Sequence, residues 1–382
     1  MSRPLHLALE IDGDGAHPAA WRRAAHPPAA LLTPARVRAV GRIAENAGFT
    51  LVTLDDDIVA PGAQPNPVGR IGSVERAAFL AASTSVLGVA PVVSTTYAEP
   101  FHVSSQLASV DHVSNGRAGW VVGSSPGTDA ARAWGRPPVE GERARAREAR
   151  DSTRVVRELW DSWEDDAVIR DVATSRYLDR DRLHYIDFTG ETFAVKGPAI
   201  VPRPPQGQLV VFAPVGLVSS PHTPAGLDER SAGGRLSPGA GRALPSDQVD
   251  VALVGRASPA PGSPLTFAEV ELALDTPGGS AAQRVADLER HGPWPDRGRL
   301  RYTGGADGLV RLLTDLRARG LAGARLHPLV LDEDLEVLSR FVLPALGRAR
   351  AVSRPLPGAS LRTTLGLPRP ANRYATAPGS AR

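Results

Sequence analysis

Short apolar runs alternate with amphipathic stretches through the first half of the chain. LHLALEI (5–11) predicts a strand, and PARVRAVGRIAENAG (34–48) places Val37, Val40, Ile43, Ala44 and Ala47 on one helical face before Gly48 ends it. FTLVTLDDD (49–57) predicts a second strand ending in acids, VERAAFLAAST (74–84) a second helix and VLGVAPVVSTT (86–96) a third strand. EPFHVSSQLASVDHVSNG then supplies a helix and turn, RAGWVVGSS a fourth strand, and ERARAREARDSTRVVRELWDSWEDD (142–166) a long charged helix. Apolar strands without polar alternation, each followed by a helix, predict a parallel sheet buried on both faces.

The second half is less regular. Residues 167–207 read as an excursion with a hairpin around Gly190, and QLVVFAPVG (208–216) resumes the strand pattern. Residues 217–247, rich in Gly, Pro, Ser and Arg without periodicity, read as a mobile insertion. VDVALVG (249–255) and GARLHPLVL (323–331) predict strands, GLVRLLTDLRARG (308–320) an amphipathic helix and LEVLSRFVLPALGRA (335–349) a closing helix. The fold expected is α/β, a TIM-like (β/α)8 barrel with insertions forming one domain over 1–370, followed by a tail at 371–382. Eight strand-helix units cannot be counted from the pattern, so a doubly wound open sheet is the alternative.

A chain of 382 residues with 42% hydrophobic content can bury a core of that size. No apolar run reaches membrane-spanning length and no leader pattern opens the chain, which predicts a cytoplasmic protein without a membrane partner. With no cysteine, disulfides, thiolate nucleophiles and sulfur-ligated metals are excluded, and no metal site is expected. Basic residues (44) nearly balance acidic ones (41), for a net charge of +3. The pI near 9.6 follows from arginine, since Lys196 is the single lysine. Lacking a basic stripe with interleaved aromatics, the chain is not expected to bind nucleic acid.

Nucleophile-elbow, zinc-protease, Walker and strand-linked G-x-G-x-x-G motifs are all missing from the sequence. What stands out is ASVDHVSNGRAGWVVGSS (108–125). It closely resembles a signature of flavin-dependent monooxygenases of the bacterial-luciferase-like superfamily, in the branch of nitrilotriacetate and dibenzothiophene-sulfone monooxygenases. GAHPAAWR (15–22), STTYAEPFH (94–102), LWDSWEDDA (159–167), KGPAIVPRPPQG (196–207) and SLRTTLGLPRP (360–370) extend the resemblance in order, whereas 215–295 resembles the family poorly. The resemblance implies a luciferase-like (β/α)8 barrel that holds reduced FMN at the C-terminal ends of its strands. It further implies a separate flavin reductase as partner, and a flavin hydroperoxide that oxygenates a small organic substrate in an otherwise apolar cavity. A homodimer is compatible with it.

By the same resemblance, Asp56, Ser94 and Thr95 are flavin contacts; the plain alternatives are that Asp56 solvates a loop and that Ser94 and Thr95 cap the next helix. His17, Trp21 and His102 are pocket candidates, with helix packing the alternative for His102. Asp111 and Arg117 are expected to form an ion pair at the bottom of the barrel. No catalytic residue is singled out. The family carries a His and a Tyr one helical turn apart after the fourth strand, where this chain has Glu140 and Ala144. The family's Gly-Ser-Ser phosphate cradle corresponds to Pro214, Val215 and Gly216, and an Asn to Val121. A carboxylate near phosphate is unfavourable. Either Ser219, Ser220 or arginines of 217–247 take over the phosphate, or the chain is a degenerate barrel that has lost flavin and serves as a partner subunit or small-molecule binder. Hydride transfer with a deazaflavin is a third reading.

Overall fold

The structure, a computed structural model, describes residues 3–56, 69–217, 248–255 and 265–375. Strand β1 (His6–Glu10) leads through two 3-10 turns to helix α1 (Pro34–Ala47). Pro34 at the first helical position and the Thr33 hydroxyl, which accepts from the Arg36 amide, start this helix; Gly48 ends it at φ 93°. Then come β2 (Leu51–Leu54), α2 (Ser73–Ser83), β3 (Gly88–Ser94), α3 (Pro100–Val113) and β4 (Gly119–Gly123). A short helix α4 (Thr128–Trp134) precedes the long α5 (Glu142–Asp161).

The excursion holds two hairpins, β5 (Val168–Asp171) with β6 (Arg176–Leu178) and β7 (Phe188–Thr189) with β8 (Ala194–Val195). Leu159, Trp163, Phe188, Val195 and Ala199 pack them onto the end of α5. The chain continues with β9 (Val210–Pro214), β10 (Val251–Val254), β11 (Leu265–Leu274), α6 (Ala281–Glu289), β12 (Leu300–Gly304), α7 (Ala306–Ala318) and β13 (Gly323–Pro328). It ends in α8 (Leu331–Val337), α9 (Leu343–Arg348) and α10 (Leu361–Thr364). A widened π turn at Leu338–Val342 joins α8 to α9, because Pro344 supplies no N–H to the preceding turn and crowds its carbonyl.

Every strand of the main sheet is parallel, and the sheet closes. β1 pairs with both β2 and β13, and the ring runs β1-β2-β3-β4-β9-β10-β11-β13. The open-sheet alternative is excluded. The N-terminal half of β11 pairs with β10, while its C-terminal half (Val270–Leu274) pairs with β12, so the wall widens toward the mouth. The insertion read at 217–247 lies, from 218 onward, outside the described residues, and Ser219 and Ser220 lie there with it. The tail read from 371 begins packed, with the Asn372 amide donating to the carbonyls of Asp161 and Trp163.

Inward-facing Ala8, Leu51, Ala90, Val121, Val210, Phe212, Val251 and Phe267 fill the lower barrel, and Leu361 and Leu365 of the α10 segment plug its floor. Glycine makes room for the plug: a Cβ on Gly88 or Gly119 would lie 3.0 or 3.1 Å from Leu361. Arg362 anchors it through the Gln208 carbonyl (2.7 Å) and both oxygens of Asp250 (2.9 Å).

The ion pair expected between Asp111 and Arg117 is not formed. Buried Asp111 accepts instead from the Gln206 side chain (2.6 Å) and amide (3.3 Å) and from the Ala118 amide (3.2 Å). Arg117 donates to the carbonyls of Leu87, Ala81 and Ser114 at 2.6 to 2.8 Å. Each group finds its partners in nearby backbone and amide, which at a crowded strand start are closer than the other's charge.

Candidate active site at the C-terminal mouth

Successive side chains of a strand alternate faces, so Phe267, Glu269 and Glu271 of β11 and Arg325 and His327 of β13 follow the same inward face upward from floor to mouth. Arg325 donates to Glu10 (2.5 Å), Glu269 (3.0 Å) and Thr53 (2.8 Å), tying β13 to β1, β2 and β11. His327 Nε2 lies 2.6 Å from Glu269, Arg299 Nε 3.0 Å from the same carboxylate, and Arg301 pairs with Glu271 at 2.8 Å. Glu10 also accepts the amides of Asp12 and Asp55, both at 2.9 Å.

Burial alone would raise the carboxyls of Glu10 and Glu269, but the adjoining Arg325 guanidinium outweighs it and holds both below the ordinary range. Burial wins at His327, whose value falls, so the ring is neutral and donates Nε2–H to Glu269. Asp55 is raised by burial and then by the Glu10 charge. One wall of the mouth is therefore ionic. This corrects the expectation of a largely apolar cavity.

The opposite wall carries hydroxyls. At the end of β3, Ser94 Oγ meets Ser125 Oγ at 3.0 Å and accepts the Thr96 amide (3.2 Å), and Thr95 Oγ1 donates to the Gly123 carbonyl (3.0 Å). Tyr97, at φ 85°, accepts the Val139 amide at 3.0 Å and ties the loop before α5 to this edge. Asp56, just past β2, accepts the Ser73 amide at 2.7 Å and so takes the free first N–H of α2. Asp56, Ser94 and Thr95 all follow strands at the same end of the barrel.

His17 is buried in the loop after β1. Its Nδ1 accepts the Ala19 amide (3.0 Å), which fixes the ring proton on Nε2, and that N–H meets no acceptor. Burial lowers its pKa, so the ring is neutral. Its ring lies 6.3 Å from that of Trp294, whose indole N–H is likewise buried and unpaired, as is that of Trp21. His102 is exposed on α3. Glu140 is exposed in the turn before α5, and Ala144 is half-buried in its first turn. Val215 and Gly216 form an exposed turn after β9, where a Cβ on Gly216 would have no atom within 4 Å.

Sequence reasoning missed Glu10, Glu269, Arg325 and His327. The signal existed as pairs of ionisable residues two positions apart, Glu269 with Glu271 and Arg325 with His327. A search for uniformly apolar strands passes over it.

Relatives of known activity share parts of this barrel. The chain is 36% identical over 212 residues to N-acetyl-S-(2-succino)cysteine monooxygenase of Bacillus subtilis, covering 55% of this chain and 48% of that protein. It is 42% identical over 134 residues to nitrilotriacetate monooxygenase component A of Aminobacter aminovorans, covering 35% and 30%. The chain thus matches about half or less of the length of these curated relatives. In fold it is similar to the crystal structure of a long-chain alkane monooxygenase, with a TM-score of 0.76 and 18% identity over 96% of both chains. No helix among the described residues is long and apolar enough to cross a membrane. The luciferase-like monooxygenase family model matches residues 16–223, more than half of the chain, and the protein belongs to that family.

Proposed function

We propose that the protein is a flavin-dependent monooxygenase that uses reduced FMN to oxygenate a small organic substrate. The observation that carries this reading is the mouth itself. Buried, unpaired N–H donors of His17, Trp21 and Trp294 accompany a hydroxyl-lined edge at Ser94, Thr95 and Ser125. Unpaired buried donors are costly, at about 1–3 kcal/mol each, and a ligand offering oxygens or ring nitrogens relieves that cost. A flavin ring edge and an oxygen-bearing substrate both fit. The open turn at Val215 and Gly216 leaves space for a phosphate at the end of β9.

Reduced flavin bound there supplies the two electrons and the place at which dioxygen is activated. The residues of this chain do the rest. His17, neutral and protonated at Nε2, donates a hydrogen bond to a ligand oxygen. Asp56 holds the start of α2 against β3, where the Ser73 hydroxyl donates to the Val92 carbonyl (2.9 Å). Ser94 and Thr95 orient the ring edge, while Val92, Val121 and Phe212 below exclude water. The ionic wall of Glu10, Glu269, Arg325 and His327 keeps the strands at fixed spacing and gives the substrate a polar side.

A separate reductase is part of this proposal, supported by the component naming of the nitrilotriacetate relative; the proposal also includes a cytoplasmic location. Exposed Glu140 and the missing hydroxyls at Val215 and Gly216 favour a second reading, a barrel without flavin that serves as a subunit or small-molecule binder. Anaerobic titration with photoreduced and with oxidised FMN separates the two. Selective binding of the reduced form is expected; binding of neither form would overturn the monooxygenase reading and leave the second.

A further inference from the structure

A cavity of about 160 Å³ lies outside the barrel, between the ends of β1 and β2 and helices α1 and α8. That is room for a group the size of roughly five waters. Its walls are apolar, with Leu31, Val37 and Val40 on the α1 side and Leu54 and Leu331 opposite. Three guanidinium groups, of Arg36, Arg70 and Arg76, also line it, against the single carboxylate of Asp12.

The cations outnumber what this acid can satisfy. Asp12 receives Arg76 at 2.7 Å and Arg70 at 3.1 Å, and Arg76 spends a second donor on the Asp55 carbonyl (2.7 Å). The side chain of Arg76 is 9% exposed, yet its Nε has no acceptor. Arg36 uses Nη1 on Asp332 (2.5 Å), while its Nη2 is buried without an acceptor. Two guanidiniums that line an otherwise apolar cavity, each with a buried donor left without an acceptor, favour an anion beside them. With Asp12 and Asp332 paired to them, the three guanidiniums still exceed the carboxylates by one charge, which suits one carboxylate, and the walls suit a short hydrocarbon.

We infer that this cavity is a binding site for a small monoanionic organic acid, its carboxylate held by Arg36 and Arg76 and its apolar body lying against α1 and Leu331. The site is built on Leu54 at the end of β2 and on residues 11–13 just past β1, beside the ionic wall of the mouth, and does not depend on the flavin reading.

Calorimetric titration of the full chain with hexanoate, and with 1-hexanol as the uncharged control, tests it. Saturable one-to-one binding of hexanoate, weakened at least tenfold by Arg36→Gln and by Arg76→Gln, with no binding of hexanol, is expected. Val37→Trp, at a half-buried position on α1, fills the cavity while keeping all three arginines and should abolish binding while leaving the circular dichroism spectrum unchanged. Crystals soaked in 4-bromobutyrate should show an anomalous bromine peak between Val37 and Leu331. The inference is overturned if hexanoate does not bind, if Val37→Trp binds it as the wild type does, if saturating FMN displaces it, or if bromine appears only in the barrel mouth.

Discussion

Replacing Arg325 by Leu removes the cation at the centre of the ionic wall and leaves Glu10 and Glu269 facing each other across β1 and β11. Arg325 makes two ion-paired hydrogen bonds, to Glu10 and Glu269, and donates a third to the neutral hydroxyl of Thr53. Charge-assisted bonds contribute about 1.5–3 kcal/mol each, and breaking a buried pair by removing one partner costs about 3–5 kcal/mol. The expected loss is therefore about 3–5 kcal/mol at pH 8, read from urea denaturation. The pH dependence should also reverse. In the wild type both carboxyls are held below their unfolded values, so their contribution is complete above the ordinary carboxylate range and is lost as pH falls through the depressed native values. Without Arg325, burial dominates, the native carboxyls rise above their unfolded values, and stability is regained as pH falls from 8 toward 5. Adding Glu269→Leu to Arg325→Leu should recover part of the loss, because an apolar pair replaces a broken ionic one. A loss below about 1 kcal/mol for Arg325→Leu, or a pH slope unchanged from wild type, would refute the argument.

Three further outcomes are expected. Gly323→Ala places a Cβ 2.5 Å from the Phe267 ring, which Phe212 and His6 hold in place, so it should cost about 1–3 kcal/mol by thermal or urea unfolding, and Phe267→Leu in that background should return part of it. Asp111→Ala strands the Gln206 and Ala118 donors and should lower stability by about 1–3 kcal/mol in urea at pH 8; a neutral result would mean that those donors find other acceptors. Glu140→His with Ala144→Tyr should tighten reduced FMN by about 1–3 kcal/mol in anaerobic titration if phosphate contacts are regained, whereas weakening would show that this chain binds phosphate elsewhere.

The first half of the barrel was legible because its strands are mostly apolar and each ends in a polar cluster, acids after β1 and β2 and hydroxyls after β3 and β4. β11 was not, since Glu269 and Glu271 interrupt the hydrophobic run on the face turned into the barrel, where solvent-like polarity is supplied by Arg325, Arg299 and Arg301. The charge pattern carries the long helix to residue 166, but the helix stops at Asp161, where the Ser162 hydroxyl turns back to the Leu159 carbonyl and accepts the Ala199 amide from the excursion. That partner is 37 residues away and invisible to local periodicity. The periodicity of the closing helix runs on through Pro344, whose effect on the preceding turn follows from a local rule, the missing N–H of proline. At the mouth, Asp56, Ser94 and Thr95 could be located by strand ends alone, whereas the unpaired proton of His17 depends on which nitrogen accepts Ala19.

Leu361 and Leu365 reach the barrel floor from more than 230 residues beyond β4, the strand they pack beneath. During synthesis the first four strands must therefore wait, with the glycine-lined hollow at Gly88 and Gly119 unsealed, until the α10 segment has left the ribosome. The nascent barrel is a vessel without a base for most of its translation, and it is in that interval that a chaperone would find apolar surface to hold.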